Sequence, residues 1–250
     1  MKFQFSEKYK QQEDVVFSLL SNFESEGELL NDGRRNVIKV LPLDGHKINI
    51  KAFKIPNLVN RIAYNFFRKS KAERSFNNAC YLLEHGIGTP HPVGFLEETC
   101  KLLFNKSYYI SEQLEADITF RELILDPDYP NREEILRKFT AFTHRLHQNN
   151  ILFKDHSPGN TLIKRNGDGY DFFLVDLNRM EFKDLTFKER ILNFTRITSK
   201  EDMVAIMSDE YARLTGIDYD TVFVPMWKQT AAFQEKFYRK KRWKKRLKVS

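Results

Sequence analysis

The sequence predicts an α+β protein of two lobes: a small β-rich N-terminal lobe, then a short, mainly helical C-terminal lobe. Strand-like segments gather in the first part of the chain, helical periodicity dominates after about Phe187, and the middle is mixed. A length of 250 residues with 41% hydrophobic and 14% aromatic content is ample for two cores and argues against disorder.

Val37 to Val40 and Lys47 to Phe53 read as two short strands joined by the turn Asp44-Gly45. Ahead of them, Gly33-Arg34-Arg35-Asn36 is a polar, turn-like cluster. From Ser70 to Glu84 the apolar residues Ala72, Phe76, Ala79, Cys80 and Leu83 recur at helical spacing, and Gly86 stands where a glycine ends a helix. Thr89-Pro90-His91-Pro92 forces extended chain, and Tyr108 to Ser111 reads as a strand. Arg132 to Gln148 is a second helix, with Ile135, Phe139, Phe142 and Leu146 on one face. Ile151 to Phe153, a polar loop, Thr161 to Ile163, the turn Asn166 to Gly169 and Phe172 to Val175 follow as strand, loop and hairpin. The organisation expected is residues 1–110 for the N-terminal lobe, 111–235 for the C-terminal lobe and 236–250 for a basic tail.

Charge is concentrated rather than spread. The net charge is +7, yet Lys236 to Lys248 holds nine Lys or Arg and no acid, and elsewhere 32 basic residues face 34 acidic ones. A near-neutral body with one cationic end speaks for a single local anionic contact and against a surface coated for nucleic acid. On a helical wheel Phe233, Phe237, Trp243 and Leu247 form an apolar stripe with Lys and Arg around the rest. Such a helix suits an anionic membrane surface. Packing of its aromatics on the lower lobe is the plain alternative, and nucleic acid a third that the near-neutral body disfavours. No stretch approaches the roughly 18 apolar residues of a spanning helix, and the first residues lack the apolar core of a signal peptide. A cytoplasmic protein is expected.

Cys80 and Cys100 form no bridge framework, and Cys80 sits in an apolar helical pattern. His144 and His147 stand three apart, with no cysteine or carboxylate to complete a zinc set.

The informative stretch is Phe153-Lys-Asp-His-Ser-Pro-Gly-Asn160, followed by Phe172-Phe-Leu-Val-Asp176-Leu-Asn178. Asp155 and Asn160 keep the spacing of the kinase catalytic loop H-R-D-x-x-x-x-N, and Asp176 follows an apolar strand as the metal-binding Asp of D-F-G does. Phosphoryl transfer needs an acceptor hydroxyl held in line and charge neutralised at the phosphates. Asp155 is the candidate to orient that hydroxyl or take its proton. Asn160 and Asp176 are the candidate metal ligands, since Mg²⁺ prefers hard oxygen donors. ATP and Mg²⁺ are the implied cofactors. Upstream, Ile48 to Lys51 resembles the V-A-I-K strand whose lysine meets the nucleotide phosphates; Lys54, of opposite parity, competes with Lys51. Glu73, one turn before Phe76, is the candidate partner of that lysine or else a solvated residue. Gly33 with Arg35 is the candidate phosphate-side turn.

At these residues the chain resembles the lipopolysaccharide kinase family, the Kdo and heptose kinases of Gram-negative bacteria, which have a bilobal protein-kinase-like fold. The likeness runs from Gly33-Arg-Arg-Asn36 through Lys51 and Leu82-Leu-Glu-His-Gly-Ile-Gly-Thr-Pro-His-Pro-Val93 to the Ser157-Pro-Gly-Asn160 loop and Asp176-Leu-Asn178. The resemblance implies ATP-dependent phosphorylation of an inner-core sugar hydroxyl, Kdo first, on a lipid-linked acceptor at the membrane face, and with it a protein peripheral at the inner membrane. Departures from protein kinases are clear: Phe153 replaces the H-R-D histidine, Leu177-Asn178 replaces Phe-Gly, and no A-P-E or G-x-G-x-x-G is present. Only 74 residues follow Asp176, little room for a peptide-substrate lobe. A small atypical protein kinase and a nucleotide-binding pseudokinase scaffold are the competing readings; retention of Asp155, Asn160 and Asp176 together disfavours the scaffold.

Overall fold

Alternation of apolar and polar side chains builds the first sheet. In His46–Phe53 (β4), Ile48, Ile50 and Ala52 point to one face and Asn49, Lys51 and Phe53 to the other, and Asn36–Leu43 (β3) pairs with it through the tight turn at Asp44-Gly45. The computed structural model describes residues 1–33, 36–55, 69–100 and 103–246. With Lys2–Phe5 (β1), Glu28–Asp32 (β2), Pro92–Cys100 (β5) and Leu103–Glu112 (β6), these strands form a six-stranded antiparallel sheet of order β1-β5-β6-β4-β3-β2.

The two faces of this sheet bury different partners. One face packs Ile48, Ile50, Leu41 and Tyr108 against Val16 and Leu20 of the helix Glu13–Ser21 (α1). The other packs Phe53 and Phe95 against Ala72 and Phe76 of the helix Lys71–Glu84 (α2). Helix α2 starts where the sequence expects, with the Ser70 side chain accepting from the Glu73 amide, a cap worth about 1 kcal/mol. It ends at Gly86 with φ 67°, a conformation glycine adopts without strain. Neither β1 nor α1 is expected from sequence. β1 is a short edge strand paired with β5 along its length, and it can lie this close because of Gly94, where a Cβ would approach Gln4 O and Phe5 Cδ1 to 2.8 Å.

The chain divides into two units, Met1–Glu115 with Asp176–Arg179, and Ala116–Val175 with Met180–Ser250. The first runs past the expected boundary at residue 110, because β6 continues to Glu112 and the Gln113 amide still donates to Lys47 O. It also takes in Asp176, which the sequence reading assigned to the second lobe.

The second unit contains a three-stranded sheet of Ile118–Thr119 (β7), Thr161–Asn166 (β9) and Gly169–Leu174 (β10), and the pair Ile151–Phe153 (β8) with Met180–Phe182 (β11). Its helices are Phe120–Leu125 (α3), Arg132–Gln148 (α4), Phe187–Leu192 (α5), Glu201–Thr215 (α6) and Tyr219–Arg246 (α7). Buried Ile135, Phe139, Phe142 and Leu146 give α4 the core face that its periodicity predicts. In α7, fully buried Val222, Met226 and Thr230 continue to half-buried Phe233, whereas Phe237 and Trp243 are 52% and 65% exposed. The basic residues described beyond 235 are thus the free end of one continuous helix.

Candidate active site

On β4 of the first unit, Lys51 lies on the face shared with Phe53, opposite Tyr109 in the register with β6. Its Nζ donates to Asp176 Oδ1 at 2.5 Å, and the Asn178 amide donates to the same oxygen at 2.8 Å. Asp176 holds φ at 61°, a left-handed conformation in which a non-glycine residue is uncommon. Asn78 of α2 fixes the next peptide by donating to Leu177 O at 2.7 Å. Oδ2 of Asp176 keeps no hydrogen bond among the described residues, which leaves a hard oxygen for a cation.

In the second unit, Asp155 ends the turn after β8. Pro158–Asn160 forms a single 3₁₀ turn in which the Asn160 amide nitrogen Nδ2 donates to Asp155 O at 2.8 Å. With Nδ2 engaged, the oxygen of the same side-chain amide, Oδ1, is the acceptor atom a metal ligand needs. The Asn160 backbone is held as well, its carbonyl accepting from Val175 N at 3.0 Å. Among the described residues no three His, Cys, Asp or Glu gather to hold a metal alone. Mg²⁺ bound through one or two side-chain oxygens and substrate phosphates needs no such cluster, and the donor types of Asn160 and Asp176 fit it.

Several residues here have no motif signal. Arg196 Nη1 donates to Asp155 Oδ1 at 2.8 Å and to Lys154 O at 3.0 Å. Asn193 Nδ2 donates to Phe153 O at 2.8 Å, and its Oδ1 faces His147 Nε2 at 3.2 Å. Arg121 lies over Gly159, where a Cβ would come within 2.7 Å of its Nη2. His156 follows Asp155 inward, 1% exposed, with the rings of Phe139 and Phe153 within 5.6 Å and neither ring nitrogen in a hydrogen bond of normal geometry. Burial drives its pKa down to about 3, and burial drives that of His147 down to about 4. Asn193 and Arg196 reach residues 153–155 from about 40 residues further along the chain, and no spacing rule encodes it.

Other expectations resolve differently. Lys51 and Glu73 have different ion-pair partners: Glu73 Oε2 accepts from Lys2 Nζ at 2.6 Å, and Lys51 takes Asp176. The cause is the register of β1, which sets Lys2 opposite the buried Glu97 of β5, beneath the first turn of α2. Burial raises the Glu97 carboxyl, with the Lys2 charge pulling it down and the Glu73 charge pushing it up. Lys54 is exposed, one residue past the end of β4. It lines a cavity of about 270 Å³ with Gly33, Val37, Ala52 and Tyr108, so Gly33 is grouped with Lys54 rather than with Lys51. Arg34 and Arg35 lie outside the described residues.

The family model described as lipopolysaccharide kinase (Kdo/WaaP) matches residues 44–217. A solved structure titled "WaaP in complex with acyl carrier protein" aligns with a TM-score of 0.63 at 15% identity, covering 92% of this chain and 98% of that one. At that identity the likeness establishes the fold. No curated protein matches the chain.

Proposed function

Because the chain belongs to the lipopolysaccharide kinase (Kdo/WaaP) family, a family of phosphotransferases, we propose that it moves the γ-phosphoryl group of Mg-ATP to a hydroxyl of an inner-core sugar, Kdo first. The observation that supports this reading best is the Lys51–Asp176 pair: a strand lysine and the carboxylate after an apolar strand meet, 125 residues apart in sequence. Phosphoryl transfer wants a cation for the nucleotide phosphates and oxygen ligands for the metal, and these residue types supply both.

In this reading the acceptor hydroxyl oxygen bonds to the γ-phosphorus as the bond to the β–γ bridging oxygen breaks, leaving ADP. Asp155 orients the hydroxyl and receives its proton. Lys51 offsets phosphate charge. Asn160 and Asp176 are the residues that would hold Mg²⁺, which supplies charge neutralisation at the transferred group.

The acceptor is lipid-linked, and the free end of α7 serves as the membrane contact of a cytoplasmic, peripheral protein. Exposed Phe237, Tyr238 and Trp243 lie among Arg239, Lys240, Lys241 and Arg242, an arrangement suited to an anionic headgroup boundary. No helix among the described residues is long and apolar enough to span a membrane. Truncation after Gln234 is expected to lower binding to vesicles containing anionic lipid, with a difference that shrinks as salt rises; equal binding rejects the membrane role.

The deciding test is transfer of labelled γ-phosphate from Mg-ATP to a purified lipid A precursor bearing Kdo, with Asp155→Ala as control. Label on the sugar lipid that vanishes in the variant supports the reaction and the acceptor class. Absence of label with ATP still bound refutes the Kdo acceptor.

A further inference from the structure

We propose that Arg196 is the positioning residue for Asp155, and that Phe233 of α7 holds Arg196 in place, making the terminal helix part of the catalytic apparatus. The inference rests on the role given to Asp155 above and extends it to residues outside any recognised motif.

Three consecutive residues of the catalytic loop are gripped from one short segment. Asn193 takes the carbonyl of Phe153, while Arg196 takes the carbonyl of Lys154 and the Oδ1 of Asp155. One guanidinium nitrogen bonded to a backbone carbonyl and a side-chain carboxylate fixes the carboxylate relative to its own main chain. That restraint acts on the rotation of the Asp155 side chain, the freedom that decides whether an oxygen is aligned with an incoming hydroxyl. Lysine in the same place offers a point charge without the planar fork, so it replaces the charge but not the geometry.

Arg196 itself is 38% exposed and needs support. Its guanidinium carbon lies 5.8 Å from the centroid of the Phe233 ring, within cation–π range. Phe233 is the last sheltered member of the stripe Val222, Met226 and Thr230. Beyond it the aromatics of α7 face outward. The helix therefore has two functional parts: the portion through Phe233 supports the catalytic loop, and the portion beyond it is free to engage a surface. Phe233 also lies beyond the family match, which ends at residue 217.

The test uses the full chain and four forms: wild type, Arg196→Ala, Arg196→Lys and Phe233→Ala. Phosphate transfer to the Kdo-bearing lipid A precursor gives kcat and the KM for ATP, and amide exchange reports on residues 153–160. Arg196→Ala is expected to lower kcat about 10- to 100-fold with KM for ATP unchanged. Arg196→Lys recovers part of that loss, and Phe233→Ala lowers kcat about 3-fold, the value of one lost cation–π contact. Amides of residues 153–160 exchange faster in the alanine variants while the α4 core keeps its protection. Wild-type kcat and unaltered loop exchange in Arg196→Ala overturn the proposal. If wild type itself transfers no label, the proposed reaction is refuted, and the exchange of the loop still decides whether Arg196 and Phe233 hold it.

Discussion

In the first unit the cation is the sheltered partner, since the side chain of Lys51 is 12% exposed and that of Asp176 34%. In the second unit the order is reversed: Asp155 is 17% exposed and Arg196 38%. The rigid member differs accordingly. Lys51 is fixed by β4, with neighbours on β3 and β6, and Asp176 reaches it from a left-handed backbone position clamped by Asn78 and Asn178. Asp155 is fixed by a loop tied to β8, and Arg196 reaches it from outside, resting on Phe233. A strongly hydrated lysine point charge suits a site where phosphate is to compete for it, whereas a planar arginine suits one that must keep a carboxylate in a set orientation. Partial exposure makes both pairs modest contributors to stability, so their value lies in placement.

Removing the acceptor-side carboxylate breaks this contrast most severely. Asp155→Ala is expected to reduce transfer by about 10²- to 10⁴-fold, with the Kd for Mg-ATP, read by titration calorimetry, nearly unchanged. A comparable loss of ATP affinity would assign Asp155 to nucleotide binding instead. On the other side, Asp176→Asn should weaken Mg²⁺-dependent ATP binding by at least about 10-fold, measured as Kd with and without the metal, because a carboxylate ligand becomes a neutral amide. Unchanged metal dependence sinks the ligand assignment. The strand position separates the two lysines: Lys51→Met lowers kcat/KM for ATP by about 10-fold or more, and Lys54→Met leaves it within about 2-fold. Equal losses would show that a place on β4 does not select the phosphate lysine.

Acid sharpens the comparison by a smaller effect, since the buried His147 and His156 belong to the second unit. Both are held below the ordinary value of 6.5 by desolvation, to about 4 and about 3. Between 6.5 and those values the unfolded chain binds protons that the folded chain excludes. Their stabilising contribution is therefore complete above about pH 6.5 and is lost as pH falls, at up to about 1.4 kcal/mol per pH unit for each group. Thermal unfolding midpoints are expected to fall steadily between pH 6.5 and pH 4, and His156→Phe, which keeps an aromatic ring against Phe139 and Phe153, should make the slope shallower. A slope identical to wild type removes His156 from this account.

Chain order and local chemistry alone were enough to pick out the candidate residues. The five-residue interval from Asp155 to Asn160, the apolar strand ahead of Asp176 and the β4 position of Lys51 are all local patterns, and each element type they need follows from periodicity of 2 or 3.6. Helix α2 was legible from its Ser70 cap to Gly86, and α4 from its apolar face, because caps and faces are set by residues a few positions apart. Edge strand β1 was not legible: four residues with one buried side chain give almost no periodic signal, and its place depends on Gly94 far along the chain. That strand then decided the partner of Glu73 by delivering Lys2, while Lys51 went to Asp176. The hold of Arg196 on Asp155 spans 41 residues, and the rest of Arg196 on Phe233 depends on how α7 lies within its own unit. Spacing rules describe neighbours along one helix, strand or loop. Partners of ion pairs between separate elements are chosen by packing, which puts charges within reach only after the cores have formed.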